Sequence, residues 1–416
     1  MLGEEKTGKI YISELLNCIP ASDSPAFLAD LALLLYDLER TGEVRLTEPA
    51  AASWEAAVCQ CYEVHPELYL LQRPPLQVSD ECADCTARIL DALCSEPSEI
   101  RRNAAAVLNE VLQMLIDRRY FAHFITPASL ADMMADLIEP AASEALLDPV
   151  CGSGRLLAAA SARCRSCVPI GVEINRDLAA AAFVSVYLSG GAASLYCEDF
   201  FGFASSKPGS FDAVLANPPY ENDIGLTLRF VEAILRVLKP GGRCGILVPE
   251  GFLTVTANSK VVETRRRLLE EYTFEGAVAL PMKMYKPYMM SHSSLLLLRK
   301  ESPAPDSNIF FSRIPEYGGA ESDFPDTVYR EDMNQVAEAW RYHKRHGFQR
   351  QRASDAVYWT ASREDIRREN YIFAADTYRP SLYAAEQMHL TEALEQLRSS
   401  QTKLEALFRY SSHRDT

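Results

Sequence analysis

Between residues 145 and 249 the sequence alternates short apolar runs with stretches of helical periodicity. The apolar runs are 145–147, 168–172, 194–197, 211–216 and 245–248. The helical stretches between them are 156–164, 178–188 and 227–238, and two further apolar runs follow at 274–280 and 294–298. Strands that alternate with helices of this length form a parallel sheet with right-handed crossovers. The sequence therefore predicts an α/β fold with a Rossmann-like, doubly wound and mostly parallel sheet.

Polar side chains follow the predicted strands at the points where the strands end. They are Asp148, Glu173, Asp199 and Asn217. The carboxyl ends of parallel strands meet at one edge of such a sheet, and ligands bind in the crevice there. We therefore expect these four residues to surround one binding site.

The segments on either side of this pattern read differently. Residues 1–120 show apolar residues at helical spacing, for example Leu28, Leu31, Leu34 and Leu35. After about residue 330 the sequence is typical of helix and loop, and it includes a helix predicted over 384–408. We predict a helical N-terminal domain (1–120), a central α/β domain (121–315) and a helical or loop C-terminal region (316–416).

The charge distribution bears on the class of ligand. The chain carries a formal net charge of −15, and residues 1–120 hold 20 acidic against 10 basic residues, whereas 331–416 are neutral overall. Non-specific DNA affinity comes mostly from Lys and Arg that neutralise phosphates. The composition therefore argues against a chain that coats nucleic acid by itself.

Composition also bears on location and metals. The early apolar stretch Phe27–Tyr36 contains Asp30 and is too short to span a bilayer. We expect no membrane contact and a cytoplasmic protein whose eleven cysteines are reduced thiols. The pairs Cys82/Cys85 and Cys164/Cys167 have CxxC spacing, but no histidine lies nearby in either segment. Small buried apolar side chains are the favoured interpretation, and no metal site is predicted.

The loop from Asp148 to Gly154 joins a predicted strand to a predicted helix. Its glycines let the backbone approach a ligand closely, and the helix N-terminus offers free N–H groups. Glu173, at the end of the next strand, is placed to accept hydrogen bonds from ribose hydroxyls. This pattern suits a dinucleotide enzyme, a methyltransferase, or a fold that binds no nucleotide and has a tight turn here.

The tetrapeptide Asn217-Pro218-Pro219-Tyr220 discriminates between these classes. The prolines fix φ and remove two backbone donors, which leaves the Asn217 side-chain oxygen and nearby carbonyls as acceptors. Acceptors that hold both N–H bonds of an exocyclic amine favour a pyramidal nitrogen that can attack a methyl group. Tyr220 would stack on an extruded planar base. The alternative is a turn that merely ends the strand.

The order of these motifs resembles the N6-adenine DNA methylases of bacterial restriction–modification systems, which are class I S-adenosylmethionine-dependent methyltransferases. Phe124-Ile125-Thr126-Pro127 is similar to the family's F-x-T-P motif, and Asp148–Gly154 matches its D-P-x-C-G-S-G loop. The resemblance implies S-adenosylmethionine as cofactor and assigns a set of cofactor-binding residues. They are Phe124, Thr126, Asp148, Pro149, Cys151, Gly152, Gly154, Glu173, Asp199, Phe200 and Asn217. Within that set, the resemblance implies that Thr126 contacts the methionine end of the cofactor, Glu173 its ribose, and Asp199 with Phe200 its adenine.

Later residues extend the resemblance. Pro249-Glu250-Gly251-Phe252-Leu253 is similar to the family's P-x-G-F-L. Tyr285 stands where the family usually has Phe against the flipped base, and the family's next Thr is here Ser293 or Ser294.

The resemblance implies direct transfer of the methyl group to adenine N6, with Asn217, Pro218, Pro219 and Tyr220 as the catalytic residues and Tyr220 and Tyr285 beside the base. The order of the segments looks like the modification subunit of a type I system, which implies a specificity subunit docked on the C-terminal helix, double-stranded DNA as substrate, and a restriction subunit as a further partner. The helix 384–408 is equally well interpreted as packing on its own domain.

Two basic clusters are candidates for DNA contact. The first comprises Arg341, Lys344, Arg345, Arg350 and Arg352, and the second is Arg265–Arg267. A solvated helix face is the alternative interpretation of both.

Two other functions remain open from sequence. One is methylation of a glutamine amide in protein or a guanine amine in RNA, by enzymes that share the Asn-Pro-Pro-Tyr tetrapeptide. The other is a catalytically silent scaffold that only binds cofactor or a partner.

Overall fold

The structure, a computed structural model, describes most of the chain. It covers residues 24–41, 45–47, 49–65, 75, 77–95, 126–219, 223–285, 292–305, 307–317, 328–346 and 357–380. Several predictions fall outside these residues, namely those on Phe124, Tyr220, Arg350, Arg352 and the helix over 384–408.

Three helices form the described N-terminal part of the chain, as the sequence predicts. They are α1 (Ser24–Thr41), α2 (Ala50–Val64) and α3 (Asp80–Ser95). The ring of Phe27 stacks on Trp54 at 5.3 Å between centroids, which joins α1 to α2. Asp37 is 1% exposed and pairs with Arg45 and, at 2.9 Å, with Nε2 of His65. An apolar stripe and a buried ionic cluster thus hold these helices together.

The central part of the chain forms alternating helices and strands. In order they are α4 (Ala128–Ile138), β1 (Ala145–Asp148), α5 (Arg155–Arg163), β2 (Val168–Val172), α6 (Arg176–Leu188), β3 (Ser194–Tyr196), α7 (Phe200–Ser206), β4 (Phe211–Ala216), α8 (Ile224–Val237) and β5 (Leu238–Pro249). All five predicted strands in this part of the chain form, and four of them lie within one residue of the predicted bounds. The exception is β5, which begins at Leu238, seven residues before the predicted run, because residues within 238–244 also pair with β4 and β7. Helices α5, α6 and α8 follow the predicted stretches, whereas α7 was not predicted.

The remaining described elements complete the sheet. They are α9 (Glu250–Thr254), α10 (Ser259–Glu270), β6 (Thr273–Ala279), β7 (Ser293–Arg299), β8 (Asn308–Arg313), α11 (Arg330–His346), β9 (Tyr358–Ser362), α12 (Arg363–Arg368) and a 3₁₀ helix (Ala375–Tyr378). The sequence predicts only helix and loop after residue 330. That prediction is wrong for 358–362, because this short segment pairs antiparallel with β8.

The nine strands form one sheet in the order β3-β2-β1-β4-β5-β7-β6-β8-β9. Strands β1 to β5 pair in parallel, and β7 lies antiparallel between β5 and β6. The predicted doubly wound, mostly parallel sheet is therefore confirmed. Because the chain reverses its winding direction after β3, the carboxyl ends of β1 and β4 flank the switch point where ligands bind in such sheets.

Helices cover both faces of the sheet. One apolar core lies between the sheet and helices α4, α5, α6 and α11, and it extends to the N-terminal helices, where the Tyr36 ring contacts Phe183 and Tyr187 of α6. The second core lies between the sheet and helices α7 to α10 and α12. Alternation along each strand decides which core a side chain enters. Leu146, Leu215 and Leu295 face the α4 side, whereas Leu147, Val214 and Leu296 face the other.

Candidate active site

The glycine loop follows β1 and ends at the first turn of α5. Gly152 and Gly154 have φ of 52° and 80°, values in the left-handed region that favours glycine. A Cβ atom at Gly154 would lie 2.7 Å from the Cα atom of Ala182 in α6, whereas one at Gly152 would meet nothing within 4 Å. Gly154 therefore lets two helices pack closely, and Gly152 leaves the tip of the loop open.

The carboxylate of Glu173 holds the tip of this loop. Its Oε2 accepts a hydrogen bond from the Gly152 amide at 3.0 Å, and its Oε1 accepts one from the Asn175 amide at 2.8 Å. A carboxylate oxygen can accept more than one hydrogen bond, so both oxygens can still accept hydroxyl donors from a ligand. Glu173 thus links the end of β2 to the loop that follows β1.

Asp148 lies at the end of β1 beneath the loop. Its side chain is 1% exposed, and Oδ1 accepts a hydrogen bond from the Val150 amide at 3.2 Å. Burial, together with a smaller contribution from the nearby negative charge of Glu173, raises the pKa of this carboxyl to about 8. Burial disfavours the ionised form of this carboxyl, and a cationic group beside it would stabilise that form. Cys151, next along the loop, is also buried, which raises the pKa of its thiol and makes it a poor nucleophile.

The side chains of Thr126 and Asn217 meet across the site. Nδ2 of Asn217 donates to Oγ1 of Thr126 at 3.1 Å, and Asn217 is 6% exposed. Both residues line a pocket with the glycine loop. The lining residues are Thr126, Asp148, Val150, Cys151, Gly152, Ser153, Arg155, Leu156 and Asn217. The structure therefore brings together the residues that the sequence predicts after β1, after β4 and before α4.

Helix α4, which follows Thr126, is fixed at its other end. Arg243 of β5 donates to the carbonyls of Ile138 and Glu139 at 2.6 and 2.7 Å and pairs with Glu144. Trp340 of α11 donates its Nε1–H to the carbonyl of Leu137 at 3.0 Å. Orphan carbonyls at the end of a helix need such donors. These contacts set the position of α4, and with it the distance from Thr126 to Asn217.

The profile of the N-6 DNA methylase family matches residues 118–227 and 226–386, which is well over half of the chain. The chain belongs to the N-6 DNA methylase family. Members of this family are S-adenosylmethionine-dependent methyltransferases, in agreement with the fold.

Two curated relatives of the chain come from restriction–modification systems. The type II restriction enzyme and methyltransferase RM.BcgI of Heyndrickxia coagulans is 26% identical over 178 residues, covering 38% of this chain and 28% of that protein. The methylase subunit of the type I restriction enzyme EcoEI of Escherichia coli is 21% identical over 256 residues, covering 54% of this chain and 51% of that protein. The chain thus spans between about a quarter and about half of these relatives.

Solved structures share the fold along nearly the whole chain. A chain from a type I restriction–modification system has a TM-score of 0.65 at 18% identity and covers 98% of both chains. The modification subunit of a putative type I restriction enzyme from Vibrio vulnificus YJ016 has a TM-score of 0.61 at 16% identity, covering 87% of this chain and 93% of that one. At such identities these likenesses establish the fold alone.

Two residues predicted to contact the cofactor's adenine differ in exposure. Asp199 is exposed and caps α7, with Oδ1 accepting from the Gly202 amide at 3.1 Å. The ring of Phe200 is only 3% exposed and stacks on Phe230 in the core. Sequence reasoning did not single out Ile174, which follows Glu173 and is 72% exposed. In the sequence, the feature that could have indicated Ile174 is its position as an apolar residue directly after Glu173, at the end of a predicted strand.

The structure also distinguishes two serines that the sequence left as alternatives. Ser293 and Ser294 begin β7 opposite Pro249 and Val248, and both are 1% exposed. The Ser293 hydroxyl has no hydrogen-bond partner among the described residues, whereas that of Ser294 lies beside the Glu250 carboxyl. Since Leu295 faces the α4 side, Ser293 faces that side too, and Ser294 faces the other. Ser293 therefore shares a face with Asn217. Tyr285, predicted beside the target base, is 3% exposed on the same side.

The residues of the predicted DNA-contact clusters differ in burial and in ion pairing. Arg265 is fully buried, so its interpretation as a DNA contact or a solvated residue is wrong. Arg266 is paired with Glu263, and Arg267 lies near Glu232 and Glu271.

On α11, Lys344 pairs with Glu275, and its Nζ lies 5.3 Å from the centre of the Trp340 ring. The Arg341 Nε–H donates to the Ala337 carbonyl of its own helix at 3.3 Å, and Arg345 is exposed. Arg341 and Arg345 therefore remain the described candidates in this cluster.

Two predicted absences concern metals and membranes. Within the described part of the chain, no group of three His, Cys, Asp or Glu side chains is arranged to hold a metal ion. None of the described helices is long and apolar enough to cross a bilayer.

Proposed function

We propose that this protein transfers a methyl group from S-adenosylmethionine to the N6 amine of an extruded adenine in DNA. One observation carries the proposal: Asn217, buried at the carboxyl end of β4, lies against Thr126 on the rim of the pocket that the glycine loop forms. A side-chain amide that follows a central strand and precedes two prolines is an acceptor for an amine. The family match supports adenine in DNA as the base that carries this amine.

The donor and acceptor groups around the pocket fit S-adenosylmethionine. When bound, the cofactor supplies an electrophilic methyl group on a sulfonium. Asp148 would accept from the ammonium group, Thr126 would contact the methionine end, and Glu173 would accept from both ribose hydroxyls. The open backbone at Gly152 leaves room for this close approach.

The adenine of the cofactor would lie further along the edge of the sheet. Asp199 would accept from its amino group, since the carboxylate is exposed and only Oδ1 is used to cap α7. Ile174 would cover one face of the adenine ring with its exposed apolar side chain.

Asn217 would orient the amine of the substrate. An exocyclic amine is a poor nucleophile because its lone pair is delocalised into the ring. Hydrogen bonds from both N–H groups, to Oδ1 of Asn217 and to the Pro218 carbonyl, would favour a pyramidal nitrogen. Thr126, by accepting from Nδ2, would keep Oδ1 turned toward the base. The N–C bond would form as the S–C bond breaks, the amine would lose one proton to solvent, and no covalent enzyme intermediate would be needed.

The extruded base would need apolar surfaces on both faces. Tyr220 would stack on one side and Tyr285 would lie on the other, which repays part of the cost of unstacking.

We further propose that the chain is a modification subunit that acts with partners in the cytoplasm. The fold shared with type I system chains supports this role, as does the −15 charge, which leaves little capacity to hold DNA alone. A specificity subunit would dock on residues 384–408, and a restriction subunit would complete the system. In this arrangement residues 1–120 form a helical domain, 121–315 catalyse transfer, and 316–416 contact DNA or the specificity subunit.

Incubation with labelled S-adenosylmethionine and a mixture of DNA, RNA and protein tests the proposed substrate. The native complex should label DNA, and digestion to nucleosides should place the label on N6-methyl-2′-deoxyadenosine. Label on glutamine in protein or on guanine in RNA would instead support the alternative methyltransferases. Cofactor binding with no label on any substrate would support the silent scaffold.

A further inference from the structure

Arg265 is a fully buried cation without an acidic partner among the described residues. Its side chain is 0% exposed, and its guanidinium donates only to backbone carbonyls: Nη1 to Phe252 at 3.0 Å and Nη2 to Val255 at 2.8 Å. Its Nε has no hydrogen-bond partner in the described part of the chain. Burial lowers the pKa of this guanidinium to about 10. Burying a charged guanidinium lowers the free energy of unfolding unless its hydrogen bonds compensate. We therefore expect the hydrogen bonds of Arg265 to matter to the segment whose carbonyls accept them.

That segment is α9, which is too short to be stable by itself. The helix has five residues, and the Val255 amide donates to the Gly251 carbonyl at 3.1 Å to close its single turn. Its last carbonyls are satisfied from other parts of the chain. Arg265 donates to the carbonyls of Phe252 and Val255, and the Phe373 amide donates to the carbonyl of Leu253 at 3.1 Å. A cation at a helix C-terminus also interacts favourably with the helix dipole.

Helix α9 also lies against the first residue of α8, the helix that follows the tetrapeptide in the sequence. It begins at Glu250, directly after β5, whose neighbour β4 ends one residue before Asn217. A Cβ atom at Gly251 would lie 3.4 Å from Cδ1 of Ile224, so the two elements are in close contact. Ile224 is the first residue of α8, and Asp223 caps that helix by accepting from the Gly225 amide at 2.8 Å. The start of α8, which follows the tetrapeptide in the sequence, therefore packs beside α9.

We propose that Arg265 is a positioning residue for methyl transfer: by holding the last turn of α9, it fixes the surface on which the loop that begins at Asn217 ends. The inference rests on the proposed function. Arg265 touches neither cofactor nor substrate, and it acts through α9 and Ile224. Its loss should therefore lower the rate of transfer more than the affinity for cofactor, because Glu173 and the glycine loop bind the cofactor from β1 and β2.

Three variants of the full chain, assayed in the complex in which the wild type is active, test this proposal. Arg265→Met removes the donors, Arg265→Lys keeps a cation that can reach a carbonyl, and Lys260→Met removes an exposed charge from the same helix. We expect Arg265→Met to lower kcat by about tenfold or more, since small misplacements at a reacting centre have such effects. Arg265→Lys should restore part of the rate, Lys260→Met should match the wild type, and the KM for S-adenosylmethionine should change little in all three.

Hydrogen exchange supplies the second measurement. Amides of residues 250–256 should exchange faster in Arg265→Met, and to a smaller extent in Arg265→Lys, while those of 145–154 stay as in the wild type. If Arg265→Met does not fold, Arg265→Lys carries this comparison.

Wild-type kcat in folded Arg265→Met, or unchanged exchange of 250–256 in the variants that fold, would overturn the proposal. So would a drop in kcat that merely equals the fraction of unfolded protein. No transfer to DNA by the wild-type complex would overturn the proposed function alone, and the exchange data would still decide whether Arg265 holds α9.

Discussion

The hydroxyl of Thr126 lies 3.1 Å from Nδ2 of Asn217, although 91 positions separate the two residues in the chain. The contact joins the segment before α4 to the end of β4. It fixes the orientation of the one side-chain amide that the proposed mechanism uses.

The hydroxyl of Thr126 should therefore matter to the rate. Thr126→Val keeps the shape of the side chain but removes the acceptor for Asn217 Nδ2, and we expect kcat to fall by about tenfold, the equivalent of one hydrogen bond to a buried partner. Thr126→Ser, which keeps the hydroxyl, is the matched control. Equal rates for the Val and Ser variants would contradict a role for this hydrogen bond.

Removal of the Asn217 amide should abolish most of the activity. In Asn217→Ala the amine of the base loses its acceptor, and we expect methyl transfer to DNA to fall by about 10³-fold or more. Cofactor binding, measured by calorimetry, should weaken much less, because Asp148 and Glu173 remain. Asn308→Ala changes an exposed asparagine far from the pocket and is the control. A variant that methylates DNA at the wild-type rate would contradict the mechanism.

Cofactor affinity should depend on pH through Asp148. The pKa of this carboxyl is about 8 in the free protein, so it is protonated at neutral pH. A bound ammonium group would favour the ionised form, and binding would then release a proton below about pH 8. We expect tighter binding as the pH rises from 6 to 8. Calorimetry in buffers of different ionisation enthalpy would detect the released proton, and proton uptake would contradict the assignment.

The same carboxyl should lower the stability of the free protein at high pH. An unfolded Asp titrates near 3.8, whereas Asp148 in the folded chain titrates near 8. Between these values the folded state holds the extra proton, so stability falls as the pH rises through this window. Asp148→Asn lacks this dependence. Relative to the wild type, this variant should be more stable at pH 9 than at pH 4, and it should lose cofactor binding. Denaturant unfolding of both proteins at both pH values would measure the difference.

Two glycines of one loop should respond differently to alanine. At Gly154 the new methyl would lie 2.7 Å from Ala182 of α6, so we expect Gly154→Ala to destabilise the fold by about 2 kcal/mol or more. At Gly152 the methyl would project into open space, and only the strain of positive φ, about 1 kcal/mol, opposes it. Gly152→Ala should therefore fold and yet bind S-adenosylmethionine more weakly. Thermal unfolding and calorimetry on both variants separate these effects.

DNA binding by the chain alone should be weak. At 150 mM salt we expect fluorescence anisotropy to detect little binding of a duplex by the isolated chain and strong binding by the assembled complex, because net charge opposes the phosphate backbone. Arg345→Gln should weaken the complex across DNA sequences, whereas Lys344→Gln should do so less, since Lys344 is paired with Glu275. Strong sequence-specific binding by the isolated chain would contradict the need for a partner.

Local sequence signals predicted the parallel half of the sheet well. Apolar runs bounded by turn or polar residues mark β1, β2, β4 and the second half of β5. This pattern predicts where the strands lie and at which edge of the sheet Asp148, Glu173 and Asn217 are found. These features depend on neighbours in the chain, which a single sequence contains.

Features that depend on distant packing were not predictable in the same way. Strand β9 has five residues and forms because β8 provides a partner. The triplet Arg265–Arg267 reads as a charged helix face, yet α10 turns Arg265 inward and keeps Arg266 and Arg267 outward. The aromatic residue after Asp199 resembles a cofactor contact in sequence, and its ring packs against Phe230.

The pairing of β9 with β8 has a consequence for where the chain can be cut. Strand β8 contributes Ile309, Phe310 and Phe311, all buried, and β9 covers its outer edge. A fragment that stops near residue 315 would keep every residue around the glycine loop but would present an apolar, unpaired strand to solvent. Such an edge recruits other chains. A catalytic fragment that remains monodisperse should therefore extend at least through residue 380, and protease cleavage between β8 and β9 should leave the two pieces associated.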